Sequence, residues 1–243
     1  MGNKIIVANM KMYMNIDDVE KYLDNFITGI GDNIVFCPSS IYIPYFLERK
    51  YNVGIQNISV FDNGAYTGEV SVEQVKKMNI DYVIVGHSER RKYFHESNFE
   101  INKKLLKVLD NNLIGILCIG ENLEDKKQFN TNNILREQME VCLNNVNKKY
   151  EDNIIVAYEP RWSIGTGLIP TIDEINDIVN YIKKYIFDNY QMNVKVIYGG
   201  SVNDSNIDLL NRINSLDGFL IGGACINSDK FLKIVNKINS VDK

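Results

Sequence analysis

Tyr-Val-Ile-Val-Gly-His-Ser-Glu-Arg-Arg, residues 82–91, carries one complete strand-to-helix transition in ten positions. Tyr82–Val85 is a continuous apolar run rich in β-branched residues, which suits a strand covered on both faces, as in a parallel sheet. Gly86 breaks the run, and Ser88-Glu89 reads as a helix start. The same order recurs along the chain. Comparable runs stand at Ile5–Ala8, Ile34–Cys37, Val53–Ile55, Ile114–Ile119, Ile154–Tyr158, Val194–Tyr198 and Phe219–Ile221.

Between the runs lie stretches with helical spacing of apolar residues: Val19–Ile27, Ile101–Leu109, Ile134–Val146, Ile172–Phe187 and Phe231–Ile238. Helix-start signals precede several of them: Asp17, Ser71 with Glu73 and Gln74, Thr131, Thr171 with Glu174, and Ser228. Eight strand-like runs alternating with about eight helical ones make a chain of βα units of roughly 30 residues each. The alternation predicts an α/β fold with a parallel sheet. A closed (β/α)8 barrel uses all eight strands and leaves no edge; a doubly wound open sheet is the alternative. No Pro/Gly/Ser-rich linker divides the chain, which has only four prolines, so residues 1–243 read as one domain.

Composition excludes several function classes. With 27 Lys plus Arg against 31 Asp plus Glu, the net charge is −4, and no basic stripe marks a nucleic-acid binder. No apolar run approaches the roughly 20 residues of a membrane span. The opening MGNKIIVANMKMYMN has too short an apolar run for a signal peptide. Cys37, Cys118, Cys142 and Cys225 are far apart in sequence, which disfavours a zinc knuckle or a redox pair and predicts free thiols in a reducing cytosol. The abundance of Asn, Ile, Lys and Tyr, as in NNVNKKY, reads as codon usage and interrupts no core segment.

In a barrel the chemistry belongs at the C-terminal ends of the strands. There the sequence places Asn9-Met10-Lys11, Gly86-His87-Ser88-Glu89, Glu159-Pro160-Arg161-Trp162-Ser163-Ile164-Gly165-Thr166-Gly167, Gly199-Gly200-Ser201 and Gly222-Gly223. The two Gly-Gly pairs follow the last two strands and precede helical segments. A backbone without Cβ lets a ligand approach, and N–H groups at a helix start hold an anion, although tight βα turns also favour glycine for structural reasons. His87 ends a strand and opens a helix, where a positive charge is disfavoured; a neutral imidazole can donate a hydrogen bond to a carbonyl. His95 has no strand end beneath it and receives no role. Glu159 is followed by PRWSIGTG, whose bulky aromatic and paired glycines suit a lid that excludes water beside a carboxylate base. Lys11 can place an ammonium in the barrel mouth.

The segments ANMKMY, YVIVGHSERRKYF, CIGE, AYEPRWSIGTG, YGGSV and DGFLIGGA, in this order from residue 3 to about 238, resemble the triosephosphate isomerases. The resemblance implies the TIM barrel, a cofactor-free isomerisation with no metal, and the substrate pair dihydroxyacetone phosphate and glyceraldehyde 3-phosphate. It makes Glu159 the base, His87 the electrophile, Lys11 the charge-balancing cation and Asn9 the group that orients substrate oxygens. Gly165, Ser201, Gly222 and Gly223 would supply amides around the phosphate, and Glu89 would support Lys11. It implies a cytoplasmic homodimer in which NGAYTGE, residues 63–69, enters the partner with Thr67 at its tip. The alternatives are a cofactor-free phosphosugar barrel enzyme with other acids and bases, which predicts no His87–Glu159 pair, and a barrel that has lost catalysis, a class that usually loses Lys11, His87 or Glu159. Departures from the pattern are Met10 for Trp, Arg161 for Val, Ile or Leu, Leu168 for Lys and Cys225 for Ser. Arg161 is expected to face solvent; turned inward, it would favour the charged form of Glu159.

Overall fold

A computed structural model describes residues 4–25 and 31–240. Eight parallel strands close into a barrel in sequence order: β1 (Ile5–Asn9), β2 (Ile34–Cys37), β3 (Asn52–Ile55), β4 (Tyr82–Val85), β5 (Ile114–Ile119), β6 (Ile154–Tyr158), β7 (Lys195–Tyr198) and β8 (Gly218–Ile221). β1 pairs with both β2 and β8, so no edge remains and the open-sheet alternative is excluded. Each strand lies within one residue of the run read from the sequence.

The continuous apolar runs have a direct explanation in the two layers they fill. Along each strand, alternate residues point inward and outward. Val7, Val35, Ile84, Ile116, Ile155, Ile197 and Leu220 pack together inside the barrel. Their neighbours, such as Ile6, Phe36, Val83, Leu117, Val156 and Phe219, pack beneath the helices. In β3 the inward position falls to Gly54, where a Cβ would lie 2.6 Å from Cys37 Sγ.

The helices are α1 (Ile16–Asn25), α2 (Ile43–Glu48), α3 (Val72–Lys77), α4 (Ser88–Tyr93), α5 (Asn98–Asp110), α6 (Leu123–Lys127), α7 (Thr131–Cys142), α8 (Ile172–Tyr190), α9 (Ile207–Leu210) and α10 (Ser228–Asn239). The expected helix over Val19–Ile27 is described as far as Asn25; Phe26 and Ile27 lie outside the described residues. Ser71–Gln74 and Thr171–Glu174 form the reciprocal capping boxes their spacing predicts, and Ser97–Glu100 and Asn122–Asp125 add two more. Three starts shift. Asn15 exchanges bonds with Asp18 ahead of α1, so Asp17 lies inside the helix. Asn227 rather than Ser228 caps α10, and Asn130 rather than Thr131 precedes α7. α7 stops at Cys142, short of the expected Val146, and the turn that follows contains Asn145 at a left-handed φ of 62°.

Candidate active site

One cavity of about 250 Å³ opens at the C-terminal end of the barrel. Asn9, Lys11, His87, Glu159, Gly165, Ser201, Gly222 and Gly223 all line it. Tyr13, Ile164, Gly199 and Gly200 complete much of the wall. Glu89 stands just behind Lys11, and Thr67 lies apart in an exposed loop.

Lys11 follows β1 in a left-handed conformation, φ 53°, which costs a non-glycine residue about 1–2 kcal/mol. The surroundings impose it. Its N–H donates to Asn9 Oδ1 at 3.2 Å. Its carbonyl accepts from Ser39 Oγ at 2.9 Å and Gln56 Nε2 at 2.8 Å, and Gln56 also donates to the Cys37 carbonyl at 2.9 Å. The ammonium then reaches Glu89 Oε1 at 2.6 Å. Met10 is buried behind it, filling the place expected of a packing residue.

His87 caps the N-terminus of α4. Its Nδ1 accepts the Glu89 N–H at 3.2 Å, which puts the proton of a neutral ring on Nε2. Nε2 lies 3.1 Å from Glu159 Oε1. The second carboxylate oxygen, Oε2, accepts the Ser88 N–H at 3.0 Å. Both side chains are buried, so each strongly senses the other. Burial pushes the His87 pKa down, but the charge and hydrogen bond of Glu159, with Glu89 behind, lift it above the ordinary histidine value. Burial pushes the Glu159 carboxyl up, but His87, the Ser88 N–H and Lys11 hold it below the usual carboxylate range. The neutral imidazole expected from the helix start alone is therefore opposed while Glu159 faces it. Beneath the pair Cys118 is fully buried, and burial raises its thiol pKa, which suits packing rather than reactivity.

Among the described residues, Lys11 is the one Lys or Arg that lines the cavity. A 3-10 turn, Gly223–Ile226, starts at the cavity after β8, with Gly222 as its cap. At Gly222 a Cβ would lie 3.2 Å from Lys11 Cε, so the ammonium stem and this turn are neighbours. The N–H groups that open a helical turn have no partner inside it and favour an anion.

Residues 160–170 form the segment beside Glu159. Ser201 ties it to β7: its Oγ donates to the Ser163 carbonyl at 2.6 Å and accepts the Gly167 N–H at 3.3 Å. Gly165 and Gly167 have φ of 71° and 77°, which excuses both from side-chain strain. At the other end, Trp162 Nε1 donates to Glu121 Oε1 at 2.8 Å, and Tyr158 Oη donates to the same carboxylate at 3.3 Å. Burial raises the Glu121 pKa against these bonds. Lys126 lies 4.5 Å from the centre of the Trp162 ring and 3.0 Å from Glu174 Oε1, linking the start of the segment to the first turn of α8.

Arg161 does not face solvent as the sequence led us to expect. It is half-buried, its N–H donates to the Glu121 carbonyl at 2.9 Å, and its Nε is buried without a partner. The short turn from Pro160 to Trp162, anchored at Glu121, draws the side chain in. Leu168 is exposed, and Cys225 is buried. Sequence reasoning gave no role to Ser39, Gln56 or Glu121. Each follows a strand directly or within two residues, the position that marked the others.

Known proteins resemble this chain over nearly its whole length. A family model described as triosephosphate isomerase matches residues 4–238. A triosephosphate isomerase from Clostridium tetani is 37% identical, covering 96% of this chain and 95% of the relative. One from Francisella tularensis subsp. novicida is 33% identical over 98% of both. One from Clostridium botulinum is 35% identical over 97% of this chain and 100% of the relative. With a closed eight-stranded barrel, a cavity at its C-terminal end and a match spanning nearly the whole sequence, the chain belongs to the triosephosphate isomerase family.

Proposed function

We propose that this chain interconverts dihydroxyacetone phosphate and D-glyceraldehyde 3-phosphate through an enediolate, with Glu159 as the base and His87 as the electrophile. The observation that carries the assignment of roles is the 3.1 Å approach of His87 Nε2 to Glu159 Oε1 in a cavity that also holds Lys11 and the glycine turns. Glu159 removes the proton from the carbon next to the carbonyl. The electron pair moves onto the carbonyl oxygen, which the His87 Nε2–H and the Lys11 ammonium stabilise. His87 gives its Nε2 proton to that oxygen and takes the hydroxyl proton from the oxygen on the first carbon, and return of the carbon proton from Glu159 to the neighbouring carbon completes the exchange.

Both oxygens of Glu159 are engaged, by His87 and by the Ser88 N–H. To reach a substrate carbon the carboxylate has to give up at least one of these bonds. Leaving His87 removes the charge that lifts the imidazole pKa. Burial and the Glu89 N–H at Nδ1 then return the ring to the neutral form that donates from Nε2. Asn9 and Lys11 orient the substrate oxygens, Glu89 holds Lys11, and Gly165, Ser201, Gly222 and Gly223 surround the phosphate. The steps call for no cofactor and no metal. Segment 160–170 shields the enediolate from water.

The same reading takes residues 1–243 as one cytoplasmic domain that works as a homodimer through the loop around Thr67. Exposed Met12, Tyr13, Phe61, Tyr66 and Phe94 sit on the segments after β1, β3 and β4 and offer apolar surface for a second copy. Phe61 and Tyr66 stack at 4.2 Å, nearly parallel, which gives this loop a set shape. Among the described residues, no helix is long and apolar enough to cross a membrane.

A coupled assay with D-glyceraldehyde 3-phosphate tests the function. Wild type should turn over, and Glu159→Ala should lose at least about 10²–10⁴-fold in rate. An inactive wild type, or full activity in Glu159→Ala, overturns the proposal.

A further inference from the structure

A second cavity, about 440 Å³, lies at the foot of the lid between α4, the start of α6 and residues 161–164. Only Ile164 belongs to both this wall and that of the catalytic cavity. We infer that it is an anion site, built by Arg161, Lys92 and Asn122 for a small phosphate or carboxylate dianion, and that its occupation slows the lid.

The guanidinium of Arg161 is the first reason. It is half-buried, its Nε has no hydrogen-bond partner, and among the described residues it makes no ion pair. Burial and the nearby Arg91 charge disfavour its cationic form more than Asp125, Glu121 and Glu159 favour it, so the chain holds there a cation that its own acids compensate only in part. Lys92 is the second. Its ammonium lies 4.9 Å from the Tyr93 ring centre and has no ion pair among the described residues. Asn122 is the third: its Oδ1 accepts the Asp125 N–H in capping α6, which leaves its NH2 as a donor. The one acid in the wall, Glu89, is committed to Lys11 at 2.6 Å. The exposed Tyr93 and Leu123 and the half-buried Trp162 complete the wall. A guanidinium and an ammonium facing one cavity suit an oxyanion with two or more acceptor oxygens.

Arg161 and Trp162 also follow Pro160 directly at the start of the lid. An anion that fastens Arg161 fastens the point from which the lid moves, so it acts on turnover rather than on substrate affinity.

Inorganic phosphate is the probe. It should inhibit in two ways: a competitive component from the catalytic cavity, and a separate fall in kcat at saturating substrate. In Arg161→Val and in Lys92→Ala the kcat component should need about tenfold more phosphate, with the competitive component unchanged. Trp162 is the one tryptophan in the sequence, and it lines this cavity. Its emission should respond to phosphate in wild type and in Lys11→Met, but not in Arg161→Val. Purely competitive inhibition of wild type, or a kcat component unaltered in both variants, overturns the site. An inactive wild type would instead remove the isomerase reading, and the fluorescence titration alone would then decide for or against the cavity.

Discussion

Lys11 Nζ stands 2.6 Å from Glu89 Oε1, and it gets there from a backbone held left-handed by two side chains on neighbouring strands' loops. The pair links the segment after β1 to the N-terminus of α4. One bond therefore fixes the cation relative to His87, which sits in the same turn as Glu89. The strain at Lys11 is local, and its compensation comes from Ser39 and Gln56.

Removing that compensation should misplace the ammonium. Gln56→Leu strips a donor from the carbonyls of Lys11 and Cys37. It should destabilise the protein by about 1–2 kcal/mol and raise KM more than it lowers kcat. Ser39→Ala should do the same more mildly, because Gln56 remains. Urea denaturation and steady-state kinetics on the two single variants and the double variant measure this. An unchanged KM in the double variant would show that Lys11 needs neither partner.

The carboxylate–imidazole pair sets a pH dependence. Glu159 acts ionised and is held below the usual carboxylate range, so the acidic limb of kcat/KM should lie below the ordinary value of about 4.3. His87→Gln leaves burial unopposed by an imidazolium and should move that limb upward while lowering kcat. Stability follows the same signs. Glu159, depressed on folding, stabilises above the ordinary carboxylate pKa, and this is lost as pH falls through its folded value. His87, raised on folding, stabilises below about 6.5, and this is lost as pH rises through its folded value. The Tm advantage of wild type over Glu159→Gln should thus peak between roughly pH 4.5 and 6.5. A difference that is flat across this range contradicts the pairing.

Gly199 presses on the base. A Cβ there would lie 2.9 Å from Glu159 Cγ and 3.5 Å from the Tyr158 carbonyl. Gly199→Ala should push the carboxylate out of line and cost about 10²-fold in kcat, since small misplacement of a reacting group is expensive. KM should change little, because the anion end of the cavity is untouched. Kinetics that show a KM effect alone would place Gly199 with the substrate and not with Glu159.

The loop at residues 63–69 tests the assembly. Light scattering of wild type should report two chains per particle. Replacing Ala65–Gly68 by a short Gly-Ser turn should give single chains and lower activity, since the segments after β1 and β4 would lose their cover. Wild type that runs as one chain at micromolar concentration, with kinetics insensitive to the replacement, refutes the homodimer.

Periodicity exposed the barrel because every strand is buried twice over: Val7 faces inward while Ile6 and Ala8 pack outward, so no polar residue interrupts the run. The residues after each run were equally legible, since polar and glycine positions there contrast with the strand itself. Helix starts slipped by one or two residues where two adjacent side chains could cap, as at Asn227 and Ser228. Arg161 misled because a charged residue in a polar loop is normally solvated; its burial comes from an anchor at Glu121 that is distant in sequence. Gln56 and Glu121 escaped notice for a related reason. Their partners are backbone carbonyls or side chains on other units, and no local spacing encodes such a contact.

Cys37 in β2, Cys118 in β5, Cys142 in α7 and Cys225 after β8 are all fully shielded and unpaired. Cys37 and Cys118 share the barrel interior, Cys225 stands near Cys37, and Cys142 lies in the layer between the barrel and its helices. A thiol-alkylating reagent can reach none of them without an opening of the fold. Four built-in probes therefore report whether the barrel interior and the helix layer open as one event or separately.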